Sequence, residues 1–154
     1  MNKITMLLLT AAAALIAIPA FAQDAYLCIS DSVTGMSFDT DTKKWNPTYI
    51  PAGNKYVFRR IKPEEKQTFL PDLLQVAWEL FPFGKNGLYA LCDEFDSSNW
   101  IFCKYGGANT YDFQFNKNNS RFQIYYPYGY LYTPPNFDEG NDTPFIEIGT
   151  CSPL

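Results

Sequence analysis

The chain has 154 residues, with 12 Lys+Arg against 16 Asp+Glu and no histidine. An acidic chain lacks the basic face that a phosphate backbone requires, which argues against nucleic acid as a partner. Without imidazole there is no Ser-His-Asp triad, no Cys-His pair and no His-ligated zinc; the 3 Trp, 11 Tyr and 13 Phe in turn carry too much apolar ring area for a disordered chain.

The chain opens with Met1-Asn2-Lys3 and an apolar run over 4–18 that Pro19 breaks. Fifteen residues fall short of the ~20 needed to cross a bilayer as a helix, and Ala20-Phe21-Ala22 is the small-x-small pattern before a signal-peptidase cut. Residues 1–22 therefore read as an export signal, and 23–154 as one β-rich domain with no membrane span, placed in the periplasm or outside the cell. In an oxidising compartment Cys28, Cys92, Cys103 and Cys151 form an even set. Three pairings are open to them. Spacing favours 92–103, across a short hairpin, and 28–151, which brackets the domain.

Strands are predicted over 26–30, 55–60, 88–92 and 145–149. Three segments share a turn pattern: Phe38-Asp39 before Lys44-Trp45, Phe95-Asp96 before Asn99-Trp100, and Phe115-Asn116 before Arg121-Phe122. In each an Asp or Asn opens a polar loop, where its side chain bonds the backbone two residues on. The hairpin over 111–126 has the best-specified register. Phe115 faces Phe122 and Phe113 faces Ile124 on an apolar side, while Asn116–Arg121, Gln114–Gln123 and Asp112–Tyr125 form the other. Over 92–103 the same construction sets Phe95 opposite Trp100 and Cys92 opposite Cys103. One stretch has a helical period: Asp72 caps, Gln75 reaches back, and Leu73, Leu74, Ala77, Trp78 and Phe81 share a side, so a short helix is predicted over about 72–81. The fold class is thus mainly β, an antiparallel meander barrel or sandwich of hairpins with one short helix and two bridges. A link between first and last strands favours closure, which removes free edges.

The candidate chemistry is sparse. Asp93, Glu94 and Asp96 read as a turn with a surface ion pair, because neighbours on a strand point to opposite faces and make a poor carboxylate pair. Asp39-Thr40-Asp41 and the acidic run at 138–142 lack a calcium-loop template, and Arg59, Arg60 and Lys62 are balanced by Glu64 and Glu65. No metal and no cofactor is called for. The most unusual stretch is 125–132, with five tyrosines in eight residues. Pro127 and Gly129 bend it, so Tyr125 and at least one of Tyr128 and Tyr130 are expected to expose rigid amphipathic rings on one surface. Trp45, near a hairpin tip, adds to that surface. The expected function is an exported, non-enzymatic binding protein that holds an envelope or extracellular protein or a glycan. The alternatives are a carboxylate-based glycan hydrolase and an envelope accessory protein with no ligand site.

Tyr26-Leu27-Cys28, Gly35-Met36-Ser37-Phe38 before Lys44-Trp45, Phe113-Gln114-Phe115-Asn116 before Arg121-Phe122, and the run from Thr143 to Cys151 together resemble a group of small exported proteobacterial proteins. That resemblance covers most of the chain after the signal and brings no catalytic residues with it. In size, export and bridged β character the chain is also similar in type to periplasmic lysozyme inhibitors.

Overall fold

The computed structural model describes residues 24–65, 76–85, 87–104, 112–131 and 143–154. The predicted signal, the 138–142 run and residues 72–75 of the predicted helix lie outside them. Nine strands run in chain order: β1 (Ala25–Asp39), β2 (Lys44–Ile50), β3 (Lys55–Arg60), β4 (Trp78–Pro82), β5 (Ala90–Cys92), β6 (Trp100–Lys104), β7 (Asp112–Asn116), β8 (Arg121–Tyr126) and β9 (Phe145–Pro153). All neighbours are antiparallel, and β9 returns to pair with β1, so eight strands close into a barrel and β2 is one extra strand. β1 makes this possible by its length. Its residues 25–29 pair with β3 on one side and 26–35 with β9 on the other, and its last seven residues carry β2 out beyond the barrel.

Alternation decides which side chains fill the interior. Tyr26 and Cys28, Tyr56 and Phe58, Trp78 and Leu80, Phe113 and Phe115, and Phe122 and Ile124 all turn inward and are buried. Their rings pack edge-on and offset, as Tyr26–Phe115 at 5.1 Å and Trp78–Phe95 at 5.2 Å show. The disulfides are Cys28–Cys151 and Cys92–Cys103, each between directly opposed residues. The pairing predicted from spacing is the one formed.

The shared turn pattern has a common geometry. Asp39 Oδ1 accepts from the Asp41 N–H at 2.9 Å, Asp96 Oδ1 from the Ser98 N–H at 2.8 Å, and Asn116 Oδ1 from the Asn118 N–H at 2.9 Å. Each loop then ends on a left-handed residue, Lys43 (φ 57°), Asn99 (φ 63°) and Ser120 (φ 58°). That final twist returns the chain to the partner strand. The registers Phe38↔Trp45, Asp112↔Tyr125 and Phe115↔Phe122 follow as predicted.

Two expectations need correction. The segment over 72–81 does not carry a helix through its second half: Trp78–Pro82 is β4, paired with β3 on one side and β5 on the other. Trp78 and Leu80, both buried, fit a strand's period of two over so short a run, and two waiting edges outweigh local propensity. Among the described residues helical geometry is confined to 63–65 and a 3-10 turn at Tyr128–Leu131. The second correction concerns Phe95 and Trp100, which do not face each other. The β5–β6 ladder ends at Cys92↔Cys103; Phe95 then folds back against the core, and Trp100 pairs with Asn116 of β7 and points outward.

Candidate functional site

β8 and β9 end side by side with Tyr126 opposite Phe145, and β1 passes them with Gly35 opposite Phe145. Tyr126 turns inward; Tyr125, one residue earlier, turns outward. Pro127 lacks the N–H needed to continue the ladder, and the chain turns into Tyr128–Leu131. Tyr130 is thereby swung beside β1 and β2, where its ring meets Trp45 edge-on at 5.6 Å. Trp45 is itself held by Phe38 at 5.4 Å, its cross-strand partner.

These elements enclose an open cleft of about 430 Å³, within the size range of small binding sites. Its lining includes Tyr125, Tyr130, Met36, Pro47, Pro144 and Ile146. Tyr125 is 44% and Tyr130 62% exposed. Among the described residues no charged side chain lines the cleft. Of the four residues singled out from sequence, Tyr125 and Tyr130 line it and Trp45 braces Tyr130 from behind. Tyr128 opens the turn that carries Tyr130, but its side chain, like Tyr132, falls outside the described residues. Met36, Pro144 and Ile146 were not among the candidate site residues read from sequence. The outward parity of Ile146 beside Tyr125 was the signal that could have placed it here, since the two are cross-strand neighbours.

The acidic and basic clusters resolve into structure. Arg60 makes a two-pronged pair with Glu94, at 2.7 and 3.0 Å, and stacks on Trp78. Arg59 bridges Glu65 and Glu79 and lies over Phe81. Burial raises the Glu79 carboxyl above the usual range, and the Arg59 charge partly offsets this. Asp96 accepts from the Ser98 and Trp100 N–H groups and so builds its turn.

One polar group was not anticipated. In β9 the inward positions are Phe145, Glu147, Gly149 and Cys151, while Ile146 and Ile148 face out. Glu147 is 1% exposed, and accepts from the Tyr56 hydroxyl at 3.0 Å and the Asn54 amide at 3.2 and 3.3 Å. Burial, then the Glu147 charge, hold the Tyr56 phenol far above its ordinary value. A hydrolase of the two-carboxylate type needs a second carboxyl across a cleft. Among the described residues no second carboxylate is hydrogen-bonded to Glu147, and none lines the tyrosine cleft.

The chain matches no protein-family model, no curated protein and no solved structure. The fold and the cleft therefore define it by class alone: a disulfide-bridged, closed β-barrel with an aromatic cleft at one rim.

Proposed function

We propose that the protein is an exported, non-enzymatic binding module that holds an uncharged, apolar segment of an envelope or extracellular protein in the cleft beside Tyr125 and Tyr130. The observation that carries this reading is the exposure of both rings beside Met36, Pro47, Pro144 and Ile146, a lining that among the described residues holds no charge. A charged occupant would lose hydration there with no opposite charge among the described residues to replace it. Among the described residues the side-chain hydrogen-bonding groups on offer are tyrosine hydroxyls and one threonine, Thr34, which suit an apolar peptide with a few carbonyls better than a hydroxyl-dense sugar. Tyrosine ordered by neighbours loses little rotamer freedom on binding, and such rings are common anchors of protein interfaces.

The test is fluorescence anisotropy with labelled decapeptides, one set rich in leucine and proline and a matched set in which Asp replaces two of the apolar residues. Binding of the apolar set, weakened at least tenfold by Tyr125→Ala with Tyr130→Ala at an unchanged Tm, is the expected result. A double variant that binds as well as the parent, or an apolar set that binds no better than the Asp-bearing one, would reject the reading.

A further inference from the structure

A second surface lies on the outside of β6, β7 and β8, and its groove shares no described lining residue with the tyrosine cleft. The register sets Trp100, Asn116 and Arg121 in one cross-strand row, and Phe102, Gln114 and Gln123 in the next. Odd-even alternation sends all six outward, because Ile101, Phe113, Phe115 and Phe122 fill the interior. Trp100 is 38% exposed and lies nearly parallel to Phe102, at 15° and 6.2 Å between centroids. Beside Trp100 runs a groove of about 520 Å³ lined by Gln114, Asn116, Asn119, Arg121 and, from β1, Asp31. Asp31 reaches it because the β1–β9 register shifts between Ser30 and Ser32.

The polar lining is both held in place and unspent. Asn116 Oδ1 is tied to the Asn118 N–H at 2.9 Å, Asn119 Oδ1 to the Arg121 N–H at 3.0 Å, and Gln114 Oε1 to the Gln123 amide at 2.9 Å. Each amide is thus fixed through its oxygen, and its NH₂ has no partner among the described residues. The Arg121 guanidinium likewise has no ion pair among them. Asp31 supplies an acceptor on the same groove, so the cationic and anionic groups offset each other.

We propose that this groove binds a neutral oligosaccharide, stacked on Trp100 and hydrogen-bonded through its hydroxyls to Asn116, Asn119, Gln114 and Arg121. A hydroxyl donates and accepts at once, and the groove offers fixed donors with acceptors nearby. An indole face takes the apolar C–H side of a sugar ring by contact and dispersion. A phosphate chain is a poor fit for a groove with one arginine opposed by an aspartate on an acidic molecule.

Affinity gel electrophoresis of the secreted protein tests this, with five neutral polysaccharides cast separately into the gel: soluble starch, laminarin, hydroxyethyl cellulose, xylan and glycol chitin. The expected result is retardation by at least one of them, with the dissociation constant raised at least tenfold by Trp100→Ala and also by Arg121→Ala. The Tyr125→Ala, Tyr130→Ala variant should be retarded as the parent is, which separates this groove from the cleft. Retardation by none of the five, or retardation that survives either the Trp100 or the Arg121 change, overturns the proposal. Both residues are exposed; if Trp100→Ala nonetheless alters the far-UV spectrum, Gln114→Ala takes its place with the same criterion.

Discussion

Glu147 shows how a single residue can be costly and retained. A carboxylate inside a barrel loses its hydration and keeps its place only where donors replace it. Tyr56 and Asn54 do so. Tyr56→Phe removes the hydroxyl and keeps the ring, and should destabilise by about 1.5–3 kcal/mol, the range for a hydrogen bond to a charged group; urea denaturation near pH 7 measures it. Glu79 behaves differently because its partner is a charge. Burial raises its folded-state value, so ionisation costs stability; that cost is absent below the ordinary glutamate range and complete above the raised value. Arg59 offsets it. Arg59→Ala should therefore cost about 1.5–3 kcal/mol near pH 7 and clearly less at pH 4, and equal losses at the two pH values would contradict the pairing. Among the tryptophans, Trp78 is 2% exposed and Trp100 is 38% exposed. Trp78→Ala should cost about 3–5 kcal/mol, as for other buried large rings, and Trp100→Ala much less.

At the scale of elements, the hairpins were legible because each has its own local instruction. Asp39, Asp96 and Asn116 bond backbone two residues on, and the aromatic pairs around the Asp39 and Asn116 turns fix the register. The Cys92–Cys103 bridge followed from the same reasoning. β4 was not legible, since Trp78 and Leu80 have their meaning only between β3 and β5, and local propensity does not report those partners. Nor was the inversion of β9. Ile146 and Ile148 look like the core face of that strand, but Cys151 is bridged inward to Cys28, and a period of two then commits Glu147 and Gly149 to the interior as well. Gly149 has a further reason to be glycine: a Cβ there would sit 2.2 Å from the Ile29 carbonyl oxygen and 2.5 Å from the Phe122 ring. Gly149→Ala is expected to lower Tm by several degrees, at least as much as loss of a buried methylene elsewhere. The two bridges should differ by loop length. With sequence separations of 123 and 11, loop entropy assigns roughly 5 kcal/mol to Cys28–Cys151 and roughly 3 to Cys92–Cys103. Paired Cys→Ala variants compared by denaturation midpoint would show the reverse order if native strain dominated.

For the whole molecule, closure explains where binding surfaces can form. A sealed barrel has no free edge along its wall, and its interior is filled with rings, so a partner must meet the outside or the rim. The rim cleft exists because β1 outruns the barrel and carries β2 with it, and because Pro127 ends β8 and swings Tyr130 onto Trp45. The sequence placed Tyr125 and at least one of Tyr128 and Tyr130 outside the core; it did not show that Tyr125 and Tyr130 would meet Met36 and Pro47, which arrive from strands nearly a hundred residues away. The measurement that tests the central claim most directly is a heteronuclear NMR titration of the folded protein with a leucine- and proline-rich decapeptide. Shifts confined to Met36, Tyr125, Tyr130 and Ile146, with the Trp100 indole resonance unmoved, are the predicted result. Shifts spread over the barrel wall, or no shift at Tyr125 and Tyr130 while peptide binds, would contradict it.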